Sequence, residues 1–228
     1  MKQDELSARL AGFVNFYSTH KKKASLVGTV LVAGLAVGLG LYFYVRGQQD
    51  RAGAALAVAL NTYHAPVLAA PPNIPNLESY KTNKEKNEKA LAAFNTVAQD
   101  YSHYAAGHLA RYYAAICQWD LEKYPEAEKE FQALTQIGDD SLASLAKIGL
   151  ASIYEITDRN SEAEKLYKEL EENPTETVPS VTALIARADL YKQTNPSEAS
   201  ILYQQIQNDY RGTPAGDYAE QMLTQLPQ

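Results

Sequence analysis

The alternation of apolar and polar positions changes character twice along this chain, and each change predicts a different kind of element. From Ala24 to Val45 there is neither a charged residue nor a proline. At about 1.5 Å per residue such a stretch makes roughly 33 Å of helix, enough to cross a hydrocarbon core of about 30 Å. It is too long for the apolar core of a cleavable signal peptide, so an uncleaved transmembrane helix is expected. Residues 46–63 keep apolar side chains at helical spacing (Leu56, Ala59, Leu60, Tyr63), which predicts that the helix continues beyond the span. Pro66, Pro71, Pro72 and Pro75 then forbid a continuous helix, because proline lacks an N–H donor and disfavours helix at the residue before it. Residues 64–81 therefore read as a loop, either a connector or a docking segment.

Past the loop, a small residue followed four positions later by an aromatic recurs at nearly constant distance: Ala90/Phe94, Ala127/Phe131, Ala163/Tyr167 and Ala199/Tyr203. An aliphatic side chain lies three positions further on in each case (Val97, Leu134, Leu170, Ile206), so the three share one helix face. A longer match fixes the register. Asp100, Tyr101, Ala106, Gly107 and Ala110 have the same spacing as Asp209, Tyr210, Ala215, Gly216 and Ala219. Helices are predicted at about 82–100, 104–121, 124–136, 141–156, 161–172, 180–193, 197–210 and 214–225, with the 48–63 helix pairing with the first. Their starts carry cap chemistry: Thr213 before Pro214, a capping box of Ser161 with Glu164, Asp139 and Asp140 at one helix N-terminus, and Pro125 and Pro196 near two others. Lys81 to Lys89 reads as a charged helix start with a solvated face, and Glu171/Glu172 as a solvated helix end.

These residues resemble the tetratricopeptide repeat family, whose helix-turn-helix unit runs about 34 residues. Leu150, Ala151 and Tyr154 on a first helix, with Ala163 and Tyr167 on a second, stand at family spacing. The unit ending at Phe131 departs, with Ala114, Ala115 and Gln118 where the family prefers Leu, Gly and Tyr, and the unit with Ala188 and Tyr191 has a turn one residue shorter. The expected fold is all-α: one transmembrane helix, then an α-solenoid of about three such hairpins over 82–228 with a capping helix, stacked because no hairpin buries its apolar face alone. The resemblance implies a concave groove lined by first helices: Leu109, Tyr112, Ile116 and Trp119, then Leu145, Ile148 and Ser152, then Thr182, Ile185 and Asp189. Leu109, Tyr112, Ile116, Trp119, Ile148 and Ile185 are its candidate protein-binding residues. The lysines and asparagines with which some members clamp a peptide carboxylate are missing at these positions. The floor suits an apolar peptide or an amphipathic helix, or else packs against the chain's own helices.

Charge adds direction. Lys21, Lys22 and Lys23 precede the span and only Arg46 and Arg51 follow closely, a bias that places residues 1–23 in the cytoplasm and the repeats outside it. Tyr42, Phe43 and Tyr44 supply the interfacial aromatics at the far end. Residues 1–45 hold five Lys/Arg and two acids, so the overall −6 leaves −9 on the remainder. A domain of that sign repels nucleic acid and anionic headgroups. Leu6, Leu10, Phe13, Val14 and Tyr17 make residues 1–23 an amphipathic helix, lying on the membrane or packed on a partner. Gly34 and Gly38, four apart, are candidates for a close helix–helix contact within the membrane.

No reaction chemistry is legible. His20, His64, His103 and His108 lack metal spacing, there is no glycine-rich phosphate loop, and no serine or cysteine has a base at motif distance. Cys117, the single cysteine, falls within a helix as a buried thiol. The expectation is a non-enzyme without cofactor, metal or small-molecule substrate, whose partners are a membrane protein complex, exported polypeptides, or both. The layout of cytoplasmic segment, inner-membrane span and acidic periplasmic repeats is similar to that of the ancillary subunits of the bacterial SecYEG translocon. The rival is an accessory subunit of another inner-membrane complex, respiratory or photosynthetic.

Overall fold

A computed structural model describes residues 21–68 and 78–226. Nine α-helices are present among the described residues, and the chain divides into two units, 1–51 and 52–228. The amphipathic segment expected over Leu6 to Tyr17, and Pro71, Pro72 and Pro75 of the loop, lie outside the described residues.

The first helix, α1 (Lys21–His64), is unbroken, as the lack of proline and the alanine-rich continuation predict. Among the described residues of the first unit its apolar side chains are exposed: Leu26 and Val32 are both 68% exposed. It is long and apolar enough to cross a membrane. Arg46 donates to the Tyr42 hydroxyl at 3.1 Å and Gln48 to that of Tyr44 at 3.2 Å, each one turn back along the helix.

The second unit is a stack of hairpins. Its part of α1, from Ala52, pairs with α2 (Asn83–Asp100); then come α3 (Ala105–Asp120) with α4 (Tyr124–Leu134), α5 (Asp140–Ile156) with α6 (Asn160–Glu172), α7 (Ser180–Thr194) with α8 (Pro196–Asp209), and α9 (Pro214–Gln225). Consecutive helices from α2 to α9 pack on one another, and α3 also meets α5 and α7 meets α9, so first helices neighbour first helices. The twelve residues of the repeating face are all buried: Ala90, Phe94, Val97; Ala127, Phe131, Leu134; Ala163, Tyr167, Leu170; Ala199, Tyr203, Ile206. Each alanine lets a first helix approach its second, and each ring fills the space between them. On α9 the inner face (Gly216, Ala219, Met222) is buried and the outer face (Asp217, Glu220, Gln221, Thr224) is polar and exposed, as the last helix of a stack requires.

The turns explain the register. In the hairpins α3/α4 and α5/α6 the equivalent residues Glu122 (φ 59°) and Asp158 (φ 58°) are left-handed. The amides of Lys123 and Arg159 close back on the carbonyls of Gln118 and Tyr154 at 2.8 and 2.7 Å, the geometry of a Schellman stop. In α7/α8 the turn shortens: Asn195 ends one helix and its side chain caps the next through Glu198 N. Gly107 and Gly216, the matched glycines, are there for space. A Cβ on them would stand 2.0 Å from the Tyr101 carbonyl oxygen and 2.4 Å from that of Tyr210.

Two local expectations are corrected. The capping box of Ser161 and Glu164 does not form. Once left-handed Asp158 has ended α5, Arg159 becomes the N-cap residue of α6, and Glu164 turns to Lys168 at 2.5 Å. Glu171 is not a solvated helix end; it is largely buried, 3.1 Å from Arg187 of α7. On α2 the charged start before Ala90 keeps an exposed face, while Asn87 on the opposite side is buried and donates to Asp120 at 3.1 Å. The caps expected from Asp139 (to Leu142 N, 3.1 Å) and Thr213 (to Gly216 N, 3.4 Å) are present.

The described ends of the proline loop are tied together. Leu68 N donates to Tyr80 O at 2.8 Å and Tyr80 N to Pro66 O at 3.1 Å, while Thr62 and Tyr80 both donate to the Glu78 carboxylate.

Candidate functional site

The groove residues fall on the first helices, as expected, but the packing splits them among three clusters. Leu109, Tyr112, Ile116 and Trp119 of α3 are half-buried and lie against the cluster of Phe131 and Leu134 of α4 with Leu142, Ala146 and Leu150 of α5. Tyr112 meets Phe131 edge-on, ring centroids 5.8 Å apart, and Tyr113 at 5.7 Å. Ile148, with Leu145, packs on the cluster around Tyr167, Leu170 and Val178. Ile185 packs on the one formed by Leu202, Tyr203, Ile206 and Ala219. Thr182 is exposed, and Ser152 spends its hydroxyl on the Ile148 carbonyl at 3.1 Å. These side chains therefore line the seams between successive units with one edge toward solvent. Gly34 and Gly38 lie on α1 with open space around the position of a Cβ.

Towards α1, the stack is held by aromatic faces. Tyr63 of α1, Phe94 of α2 and Tyr113 of α3 meet at centroid distances of 5.3 to 6.1 Å, Phe94 and Tyr113 nearly parallel at 16°, and Lys86 stands 5.5 Å over the Tyr63 ring. Cys117 is fully buried beneath them, and that burial, followed by the nearby Asp120 charge, pushes its thiol up to about 12. Such a thiol is unreactive.

Towards α9, polar pairs that the sequence analysis did not single out occupy the matching place. Tyr167 of α6 donates to Glu155 of α5. Tyr203 of α8 donates to Asp189 of α7 at 2.5 Å, and Tyr218 of α9 donates to the same carboxylate at 2.8 Å. Burial raises the Glu155 carboxyl, the Tyr167 bond lowers it, and the neighbouring Asp189 charge raises it again. The Tyr218 phenol is pushed up to about 12, by burial first and then by its bond to Asp189. A signal existed in the sequence: Glu155 and Asp189 are spaced nearly as Tyr167 and Tyr203 are.

Cations tie neighbouring helices across the outside. Arg159 forks onto Glu128 at 2.6 and 2.9 Å and covers Tyr154 at 4.3 Å, Lys147 reaches Glu169 at 2.6 Å, and Arg111 pairs with Glu130. Among the described residues no group of three or more His, Cys, Asp or Glu side chains gathers as a metal would require.

The family model for the tetratricopeptide repeat-like domain matches residues 15–177, a span that takes in the apolar part of α1 as well as the hairpins through α6. No curated protein and no solved structure matches the chain.

Proposed function

The chain belongs to the tetratricopeptide repeat-like family, and we propose that it is a scaffold for protein–protein interaction, anchored in the inner membrane by α1 with its repeats on the periplasmic side. Repeat arrays of this family typically bind proteins and do not catalyse. The observation that carries the anchor is the run of uncovered apolar side chains from Leu26 to Val45, for which lipid is the fitting solvent. The orientation follows from Lys21, Lys22 and Lys23 against Arg46 and Arg51. A single cysteine placed beside Gln228 should react with a membrane-impermeant thiol reagent in intact spheroplasts, and one beside Lys2 should not. The reverse pattern refutes the orientation.

The partner we propose is a membrane protein complex that handles exported polypeptides, in the manner of a translocon's ancillary subunit. The array is acidic, which discourages lipid and nucleic acid as its ligands. A second reading, a fixed accessory subunit of another inner-membrane complex, is favoured by the half-buried state of Tyr112, Ile116 and Trp119, which leaves edges rather than open pockets for a client to fill. Gentle detergent extraction separates the two readings. Co-purification of a translocon with heterogeneous clients supports the first, and a stoichiometric, defined set of proteins supports the second. Trp119→Ala sharpens the result: loss of the partner with the array still folded marks the α3 edge as the docking face.

A further inference from the structure

The seams where one hairpin gives way to the next carry a recurring cleft. It measures about 290 Å³ beside His108 and Arg111, about 320 Å³ beside Asp217 and Glu220, and about 490 Å³ beside the equivalent Ser144 and Lys147. The largest stands where the connection between helices is a residue longer, 135–139 against 101–104 and 210–213. Thr135 at the end of α4, Asp140, Ser144 and Lys147 on α5, and Glu169 and Asn173 at the end of α6 line it.

What sets this cleft apart is an excess of acceptors. Ser144 lines it although only 5% exposed, and its hydroxyl bonds no protein group among the described residues, whereas Ser152 on the same helix returns its own to the Ile148 carbonyl. A buried hydroxyl without a partner is costly, so the cleft favours an occupant that supplies one. The end of α6 adds carbonyls. Pro174 has no N–H to return to Leu170, and the Thr175 amide turns to the Val178 carbonyl at 3.0 Å instead of back to Glu171. That end of a helix carries partial negative charge. Among the described residues Asp140 pairs with no cation, and Glu169 gives one carboxylate oxygen to Lys147 at 2.6 Å. The groups that would attract an anion are already engaged. Glu169 holds Lys147, and Asp139 takes the amides at the start of α5, Leu142 N on its carboxylate at 3.1 Å and Ala143 N on its carbonyl at 2.8 Å.

We propose that the α4/α5/α6 cleft receives the cationic side chain, lysine or arginine, of a protein partner, whose ammonium or guanidinium donates to Ser144 and is neutralised by Asp140 and the carbonyl end of α6. The inference rests on the scaffold reading above and names the chemistry of the partner segment that docks. The acidic balance of the array draws basic segments towards it, and the cleft gives one such side chain a fixed place.

The test titrates the full chain, in detergent at low salt, with end-capped alanine peptides that carry arginine, glutamine or glutamate at their centre. Binding is read from the amide NMR signals of Ser144 and Asn173, identified by their loss in Ser144→Ala and Asn173→Asp. The arginine peptide should shift both signals saturably and bind about tenfold more tightly than the glutamine peptide, and added salt should weaken it. Ser144→Ala, read at Asn173, should weaken the arginine peptide about tenfold, and Asp140→Asn about two- to fivefold, both variants melting as the wild type does. Absent shifts, glutamine or glutamate peptides that bind as well as arginine, or an unchanged affinity in Ser144→Ala overturn the proposal. Co-purification judges the scaffold reading separately. Partners recovered by a chain that binds no arginine peptide overturn the cleft and leave the scaffold standing, whereas arginine binding without any co-purifying protein sustains the cation site and refutes the scaffold.

Discussion

The first two hairpins and the last two place an aromatic ring at the same repeat position and hold it by different means. Phe94 and Phe131 are held by shape alone, Phe94 flat against Tyr113 and Phe131 against Gly149, where a Cβ would come within 2.6 Å of the ring. Tyr167 and Tyr203 keep the ring and add a hydroxyl, and a carboxylate on the first helix of the same hairpin meets it. The difference teaches that the repeat specifies a buried ring and leaves the far end of that ring free to be dry or wet. What changes is the kind of failure each half is open to: cavities and overpacking in one, unpaired polar groups in the other.

The largest effect should therefore come from emptying the dry half. Phe131→Ala is expected to cost about 3 to 5 kcal/mol, measured by denaturant unfolding of the full chain in detergent. A loss well under 1 kcal/mol would show that the ring does not carry its cluster. Exchanging the two solutions comes next. Phe131→Tyr forces a hydroxyl against Gly149 and should cost about 1 to 3 kcal/mol, and Gly149→Ala, which crowds the same ring from the other side, a similar amount. If Phe131→Tyr is neutral, the two halves are less distinct than described. In the wet half, Tyr167→Phe keeps the ring but strips Glu155 of its donor, for a loss of about 1 to 3 kcal/mol near neutral pH. That loss should diminish in mild acid, where Glu155 gains a proton and no longer needs a donor for its charge. Smallest of all should be Tyr218→Phe, about 0.5 to 1.5 kcal/mol, because Tyr203 still donates to Asp189.

The repeat was legible because Ala90, Ala127, Ala163 and Ala199 have one physical task, close approach of two helices, and only a small side chain performs it. Helix boundaries followed within about two residues where a proline or a cap fixed them, as at Thr213 and Asp139. The capping box at Ser161 was misread because the preceding turn, not the cap, decides where α6 begins, and the left-handed φ of Asp158 is not visible in its residue type. The packing of the expected groove residues was only half legible. Register places Tyr112 and Trp119 on the correct helix, yet how far a side chain leans into the next unit depends on that unit's shape, here on the room Phe131 occupies beside Gly149. Glu155 escaped notice, and Asp189 was read only as a groove residue, for a related reason: a carboxylate on a helix surface and one turned toward a phenol of the next helix look alike in sequence.

The burial of Cys117 makes the native chain its own reporter. With one thiol, sealed beneath Leu56, Phe94 and Val97 and held protonated, the folded protein is silent toward thiol reagents, so probes placed elsewhere need no cysteine-free background. Any slow labelling of the unaltered chain then counts the openings of the hairpin nearest α1, and its rate gives the free energy of that local event apart from global unfolding.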